Sequence, residues 1–290
     1  MKPGDLVIRK SYGGDVVFRI CAVENGRAVL KGVEFRLLAD APLEDLELCR
    51  VVPSPLRPRR DPWGRPEDVV PEAKPLCFGM PGKVLHLDGD LEYLRKSMAF
   101  YREFRVPVHG YFVREPWMAE ALMRLLPAIH PDIVVVTGHD GLLKRRPSSV
   151  RDLTQYKNSA HFVRAVDVAR RYERNPDELV VVAGACQSHF EALLYAGANF
   201  ASSPARVLIH ALDPVSVAVR VAYTPIGRTV DLPETIRHTI SGVNGIGGID
   251  TRGRYREGMP KLPVHLQSVL PSPSASPAEG NWRVFFAAGR

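Results

Sequence analysis

At 290 residues, 45% hydrophobic and 24% charged, the chain can bury one sizeable core plus a small accessory domain, and its composition excludes a generally disordered or fibrous protein. The formal net charge of +7 would suit an acidic partner, but lysine and arginine are spread along the chain and the one dense run, Arg57-Pro-Arg-Arg60, sits among prolines, so nucleic acid is not the expected partner. No apolar run reaches the length of about 18 residues that a membrane helix needs, and Met1 to Asp5 lacks the apolar stretch of a signal peptide, so no membrane insertion and a cytoplasmic location are expected.

Residues 1–50 alternate as short strands do. The runs Asp5–Ile8, Asp15–Val23, Arg27–Leu30 and Phe35–Leu38 are separated by Gly13-Gly14, Asn25-Gly26 and Gly32, and Asn-Gly between two such runs signals a hairpin. The pattern predicts a small SH3-like or KOW-like β-barrel, a module that elsewhere binds protein or RNA. Prolines 53, 55, 58, 62, 66, 71, 75 and 81, interspersed with arginines, predict an extended linker over 51–81.

From residue 82 the pattern changes to alternating strands and helices. Predicted strands are Lys83–Asp88, Val106–Val113, Asp132–Thr137, Leu179–Ala183 and Arg206–Ala211. Predicted helices run from Leu91, capped by Asp90, to Tyr101, then over Glu115–Leu126, Ser159–Tyr172, Ser188–Ala196 and Val215–Ala222. This order calls for an α/β domain over 82–265 with a mainly parallel sheet between two helical layers. Residues 266–290 read as a low-complexity tail.

Two hydrophobic runs in this domain are nearly alike. Asp132 to Gly141 and Glu178 to Gln187 each run through β-branched residues to a glycine and then a reactive side chain, His139 in one and Cys186 in the other. Continuous apolar runs of this length are buried parallel strands, whose carboxyl ends carry ligands and catalytic groups. If the strands are neighbours, His139 and Cys186 face each other in the arrangement of nucleophilic acyl transfer. A helix beginning just after Cys186 would favour its thiolate.

The remaining histidines and the cysteines at 21, 49 and 77 lack such a setting, and no Cys-x-x-Cys pair or zinc-type spacing occurs, so neither metal nor cofactor is expected. Gly242 to Gly248 lacks the strand and helix that a nucleotide fingerprint requires and reads as a flexible loop facing substrate. Acids available for a pocket binding a basic side chain are Asp140, Asp213 and Asp250, and the sequence does not choose among them. Two rival readings are a non-enzymatic assembly or RNA-binding protein working through the N-terminal module, and a nucleotide or phospho-receiver domain with Asp88 as its acidic residue.

A strand ending in His-Asp-Gly, a helix, and a strand ending in Ala-Cys-Gln-Ser resemble the caspase, gingipain and clostripain type of cysteine peptidase. Over about residues 1–265, through Lys2-Pro-Gly-Asp5, Val136 to Gly141, Ala183 to Ser188 and Asn244 to Gly248, the chain is similar to the YabG peptidases of endospore-forming bacteria. The resemblance implies a caspase-like domain in which Cys186 is the nucleophile and His139 the general acid/base. Oxyanion donors would be the backbone of Cys186 with that of Asp140 or Gly141, because Asp140 stands where the clan has glycine beside histidine. It further implies an endopeptidase of the sporulating mother cell, acting on spore coat and cortex-related proteins beside arginine. The arginine-rich linker then becomes a candidate for self-cleavage.

Overall fold

The computed structural model describes residues 1–49, 62–72, 74, 76–143, 151–260 and, as backbone alone, 282–284. Five strands make the N-terminal module: β1 Leu6–Arg9, β2 Phe18–Glu24, β3 Arg27–Gly32, β4 Leu38–Pro42 and β5 Leu46–Leu48. They pair antiparallel in the order β4-β3-β2-β1-β5 around Val7, Phe18, Ile20, Ala28 and Leu30. The Asn25-Gly26 hairpin forms as read, with φ of 49° and 75° that a tight turn between twisted strands requires. No pairing between β4 and β5 closes a barrel among the described residues.

One predicted strand is absent. Residues 35 to 38 alternate like a strand, yet β4 begins only at Leu38, and 33–37 form a loop that leaves the module. The cause is tertiary: the Arg36 side chain is drawn wholly into the α/β domain, where long-range contacts override local alternation.

The linker expectation over 51–61 lies outside the described residues. Part of 62–81 is anchored. Trp63 packs edge-on against Phe100, α1 spans Pro66–Val69, and β6 Phe78–Met80 pairs with β13 Arg256–Gly258.

The α/β domain contains β7 Val84–Asp88, α2 Leu91–Glu103, β8 Val108–Phe112, α3 Met118–Ile129, β9 Ile133–Thr137, α4 Ser159–Tyr172, β10 Val180–Ala183, α5 Phe190–Tyr195, β11 Phe200–Ser202, α6 Asp213–Tyr223, α7 Leu232–Arg237, α8 Gly242–Gly245, β12 Ile246–Gly248 and β14 Trp282–Val284. The sheet order is β12-β11-β10-β9-β7-β8-β14, with β12 antiparallel and the rest parallel. Alternate residues of β9 and β10 face opposite layers. Ile133, Val135, Val180 and Val182 pack with residues of α2 and α6, whereas Val134, Val136, Val181 and Ala183 pack with residues of α3, α4 and α5. Burial on both faces explains the unbroken β-branched runs.

Two elements depart from the sequence reading. Residues 206–211 form no strand, because the edge of β11 is taken by β12 and their backbone instead serves the Cys186 turn. The Gly-rich segment is not a loop but supplies α8 and β12. Added Cβ atoms at Gly247 and Gly248 would approach Phe190 to 2.9 Å and Phe200 to 2.5 Å, so glycine is what lets this strand lie close. The tail expected over 266–290 is described only at β14. Among the described residues no helix is long and apolar enough to cross a membrane.

Phe162 on α4 is fully buried in the layer that covers Val134 and Val181. Phe162→Ala should cost about 3–5 kcal/mol of folding free energy by denaturant titration.

Candidate active site

The sheet order reverses at β7: β8 lies on one side and β9 on the other, which opens a crevice beyond the carboxyl ends of β7 and β9. In register, Asp88 pairs with Thr137, and Val136 with Ala183. His139 therefore leaves β9 two residues past its end, and Cys186 leaves the adjoining β10 three residues past its own, at the same edge of the sheet.

Local backbone makes the two turns. Gly184 (φ +105°) hands its N–H to Val136 carbonyl, and Gln187 holds a left-handed φ of +54°, an uncommon state for a non-glycine residue that places Cys186 at the tip between them. Beside β9, an added Cβ at Gly138 would meet Glu115 Oε1 at 2.4 Å, and that oxygen accepts the His139 N–H at 2.8 Å. Asn158 Nδ2 donates to the His139 carbonyl at 2.7 Å, so the histidine backbone is held from both sides.

The imidazole donates from Nε2 to Asp90 Oδ2 at 2.9 Å. That contact sets the tautomer and leaves Nδ1 as the basic nitrogen. Asp90 does two jobs, since its other oxygen accepts the N–H groups of Glu92 and Tyr93 as the N-cap of α2. Burial alone would raise the Asp90 pKa. Hydrogen bonds from His139 and from Lys31 outweigh it and hold the carboxyl well below the usual range.

Cys186 is buried. Its sulfur accepts from the Ile209 N–H at 3.3 Å and lies 3.7 Å from the Ile209 carbonyl. Burial pushes the thiol up to about 11. The expected thiolate at a helix N-terminus is thus overturned for this state, since α5 starts only at Phe190 and desolvation outweighs the donors.

Asp140 is a bracket. Its carboxylate accepts the Asn158 N–H at 2.7 Å, its neighbour Gly141 N–H at 2.9 Å, the Ser188 hydroxyl at 2.8 Å and the Ser159 hydroxyl. It ties the histidine loop to α4 and to the cysteine loop, and its own oxygens are engaged. With the Gly141 N–H turned to that carboxylate, the amides of Asp140 and Cys186 are the better placed of the candidate oxyanion donors.

Of the other acids, Asp213 is fully buried and accepts the N–H groups of Ile240 at 2.8 Å and Ser241 at 3.0 Å. Asp250 is exposed and follows antiparallel β12, whose end lies beside the start of β11, at the edge of the sheet away from Cys186. The carboxylate that the crevice does hold is Asp88, paired with Arg36. Among the described residues no group of three or more His, Cys, Asp or Glu side chains could hold a metal ion.

Neither Asp90 nor Glu115 was read as functional from sequence. The only local signal was the capping position of Asp90, which is silent about a histidine 49 residues away.

A parallel α/β sheet that brings a histidine and a cysteine to adjoining strand ends is an arrangement nucleophilic catalysis can use. The profile of the family described as YabG peptidase U57 matches residues 2–54 and 65–260, and the chain belongs to that peptidase family. It is 42% identical over 285 aligned residues, 89% of this chain and 97% of the relative, to a Bacillus subtilis (strain 168) protein named sporulation-specific protease YabG. No solved structure matches the chain.

The Asp90 carboxyl is depressed on folding, so its contribution to stability is present above the ordinary value of 3.8 and is lost as pH falls below it. Unfolding titrations of wild type and Asp90→Asn should differ most at pH 6 and draw together as pH falls below 3.8, and a difference that stays constant from pH 6 down to about pH 2 would count against the Asp90 contacts with His139 and Lys31.

Proposed function

We propose that the protein is a cysteine endopeptidase of sporulation that cleaves its protein substrates after arginine. The observation that carries this reading is that β9 and β10, paired in parallel register, deliver His139 and Cys186 to one edge of the sheet. The family match supplies the peptidase class, and the name of the Bacillus subtilis relative supports sporulation as the setting. Spore coat proteins in the mother cell are the proposed substrates, on the strength of the same likeness.

In this mechanism Cys186 gives its proton to His139 and its sulfur attacks the scissile carbonyl. Asp90 holds Nε2 so that Nδ1 faces the reaction, as a positioning residue. The amides of Cys186 and Asp140 stabilise the oxyanion, each worth about 2.7–4 kcal/mol in comparable sites. His139 returns the proton to the leaving amine, and water hydrolyses the thioester. The caspase-like description rests on this placement of histidine and cysteine after neighbouring parallel strands. An SH3-like identity for the N-terminal module rests on its five short antiparallel strands, and self-cleavage at Arg57 to Arg60 on the composition of that segment.

A thiol held near 11 is a poor nucleophile until substrate or a rearrangement removes the protein groups that cover it. Cys186→Ala and His139→Ala should each lower kcat/KM on an arginine-containing peptide by about four to six orders of magnitude while both remain folded by circular dichroism. Equal hydrolysis by wild type and Cys186→Ala would overturn the assignment.

A further inference from the structure

In a peptidase the primary specificity pocket is the place reached by the side chain of the residue whose own carbonyl stands at the nucleophile. One residue of this chain occupies both places. The Arg36 carbonyl oxygen is 3.4 Å from Nδ1 of His139, the partner of the nucleophile in the proposed pair. Its guanidinium, with no exposed surface, donates two parallel hydrogen bonds of 2.9 Å to the two oxygens of Asp88 and a third of 3.2 Å to the Ala211 carbonyl. Asp88 closes β7 at the point where the sheet order reverses, one strand away from His139.

We propose that Asp88 is the carboxylate that selects arginine in a protein substrate, and that the β3–β4 loop fills this pocket with Arg36 as an internal competitor. The proposal rests on the peptidase reading above and adds to it the specificity residue and the occupant.

The loop turns tightly at Arg36, where the Leu37 N–H donates to the Phe35 carbonyl at 2.8 Å, and it is held through its backbone. Phe35 forms an antiparallel bridge with His210, the Ala211 N–H donates to the Glu34 carbonyl at 2.9 Å, the Tyr93 hydroxyl donates to the Phe35 carbonyl at 2.7 Å, and Lys96 Nζ donates to the Val33 carbonyl at 2.7 Å. These contacts engage backbone, which every peptide substrate offers, and leave discrimination to the pocket. There the paired oxygens of Asp88 match the planar fork of a guanidinium and suit the single charge of lysine less well. A buried ion pair contributes little to stability compared with an apolar pair of similar volume, so its presence here asks for another reason, and recognition provides one.

The test uses the full-length protein and three peptides that differ only in arginine, lysine or citrulline before the scissile bond. Arg36→Ala empties the pocket and should lower KM for the arginine peptide by about tenfold or more. Lys96→Met loosens the loop without touching the pocket and should move KM in the same direction with the preference for arginine retained. In Arg36→Ala/Asp88→Asn, which removes both members of the pair, the arginine to citrulline ratio in kcat/KM should collapse from about 100 or more towards 1.

Unchanged KM in both single variants overturns the competitor, and an arginine preference that survives in the double variant overturns Asp88. Calorimetric binding of agmatine gives a readout independent of turnover and of the double variant: Arg36→Ala should bind it and wild type should not, and equal binding by the two overturns the proposal. Hydrolysis that persists in Cys186→Ala would sink the peptidase mechanism itself, whereas hydrolysis that needs Cys186 but ignores Arg36 and Asp88 sinks the inference alone.

Discussion

The parallel pairing of β9 with β7 on one side and β10 on the other is the constraint on which everything else depends. Register fixes Asp88 opposite Thr137 and Ala183 opposite Val136, so three chain exits fall side by side along one edge of the sheet. A shift of one residue in either pairing would exchange the faces of every valine in the strand and bury the wrong set. Because both faces of β9 are packed, the core that stabilises the domain is also what sets the spacing of His139, Cys186 and Asp88.

Onto this edge the N-terminal module projects one loop, and that loop changes the chemistry of what it covers. It introduces a guanidinium whose charge keeps Asp88 ionised although burial alone would protonate it, and the same charge works against the desolvation that raises the Cys186 thiol. The same segment therefore keeps the buried acid at the end of β7 charged. Lys31, at the root of the loop, pairs with Asp90 at 2.7 Å, so the module also touches the carboxylate that orients the histidine.

Much of this was legible in the sequence wherever the signal was local. The two β-branched runs, the Asn25-Gly26 turn and the Asp90 cap each depend on a few adjacent residues, and each formed as read. Residues whose role depends on distant partners were misread or missed. Arg36 looked like one more position of an alternating strand because nothing nearby announces Asp88, 52 residues on. Arg206 to Ala211 had the apolar pattern of a strand, but a sheet edge has room for one neighbour and β12 takes it. Cys186 was read from the helix that follows it, whereas its protonation is decided by burial, which the residues around it in sequence do not announce. Asp140, a candidate for the pocket, turned out to be spent on holding the turns together.

That last role carries a consequence for how the chain can vary. Asp140, Ser159 and Ser188 come from three separate segments yet share one small polar cage in which each hydroxyl has the same carboxylate as its acceptor. Replacing any one of them leaves a partner desolvated and unanswered, and replacing all three together with apolar groups would still strand the Asn158, Gly141, Ala185 and His189 amides that they accept. Such positions are inherited as a unit: among relatives they should change together or stay fixed together, and a chimera that swaps α4 without the turn after β10 would carry the mismatch directly to the nucleophile.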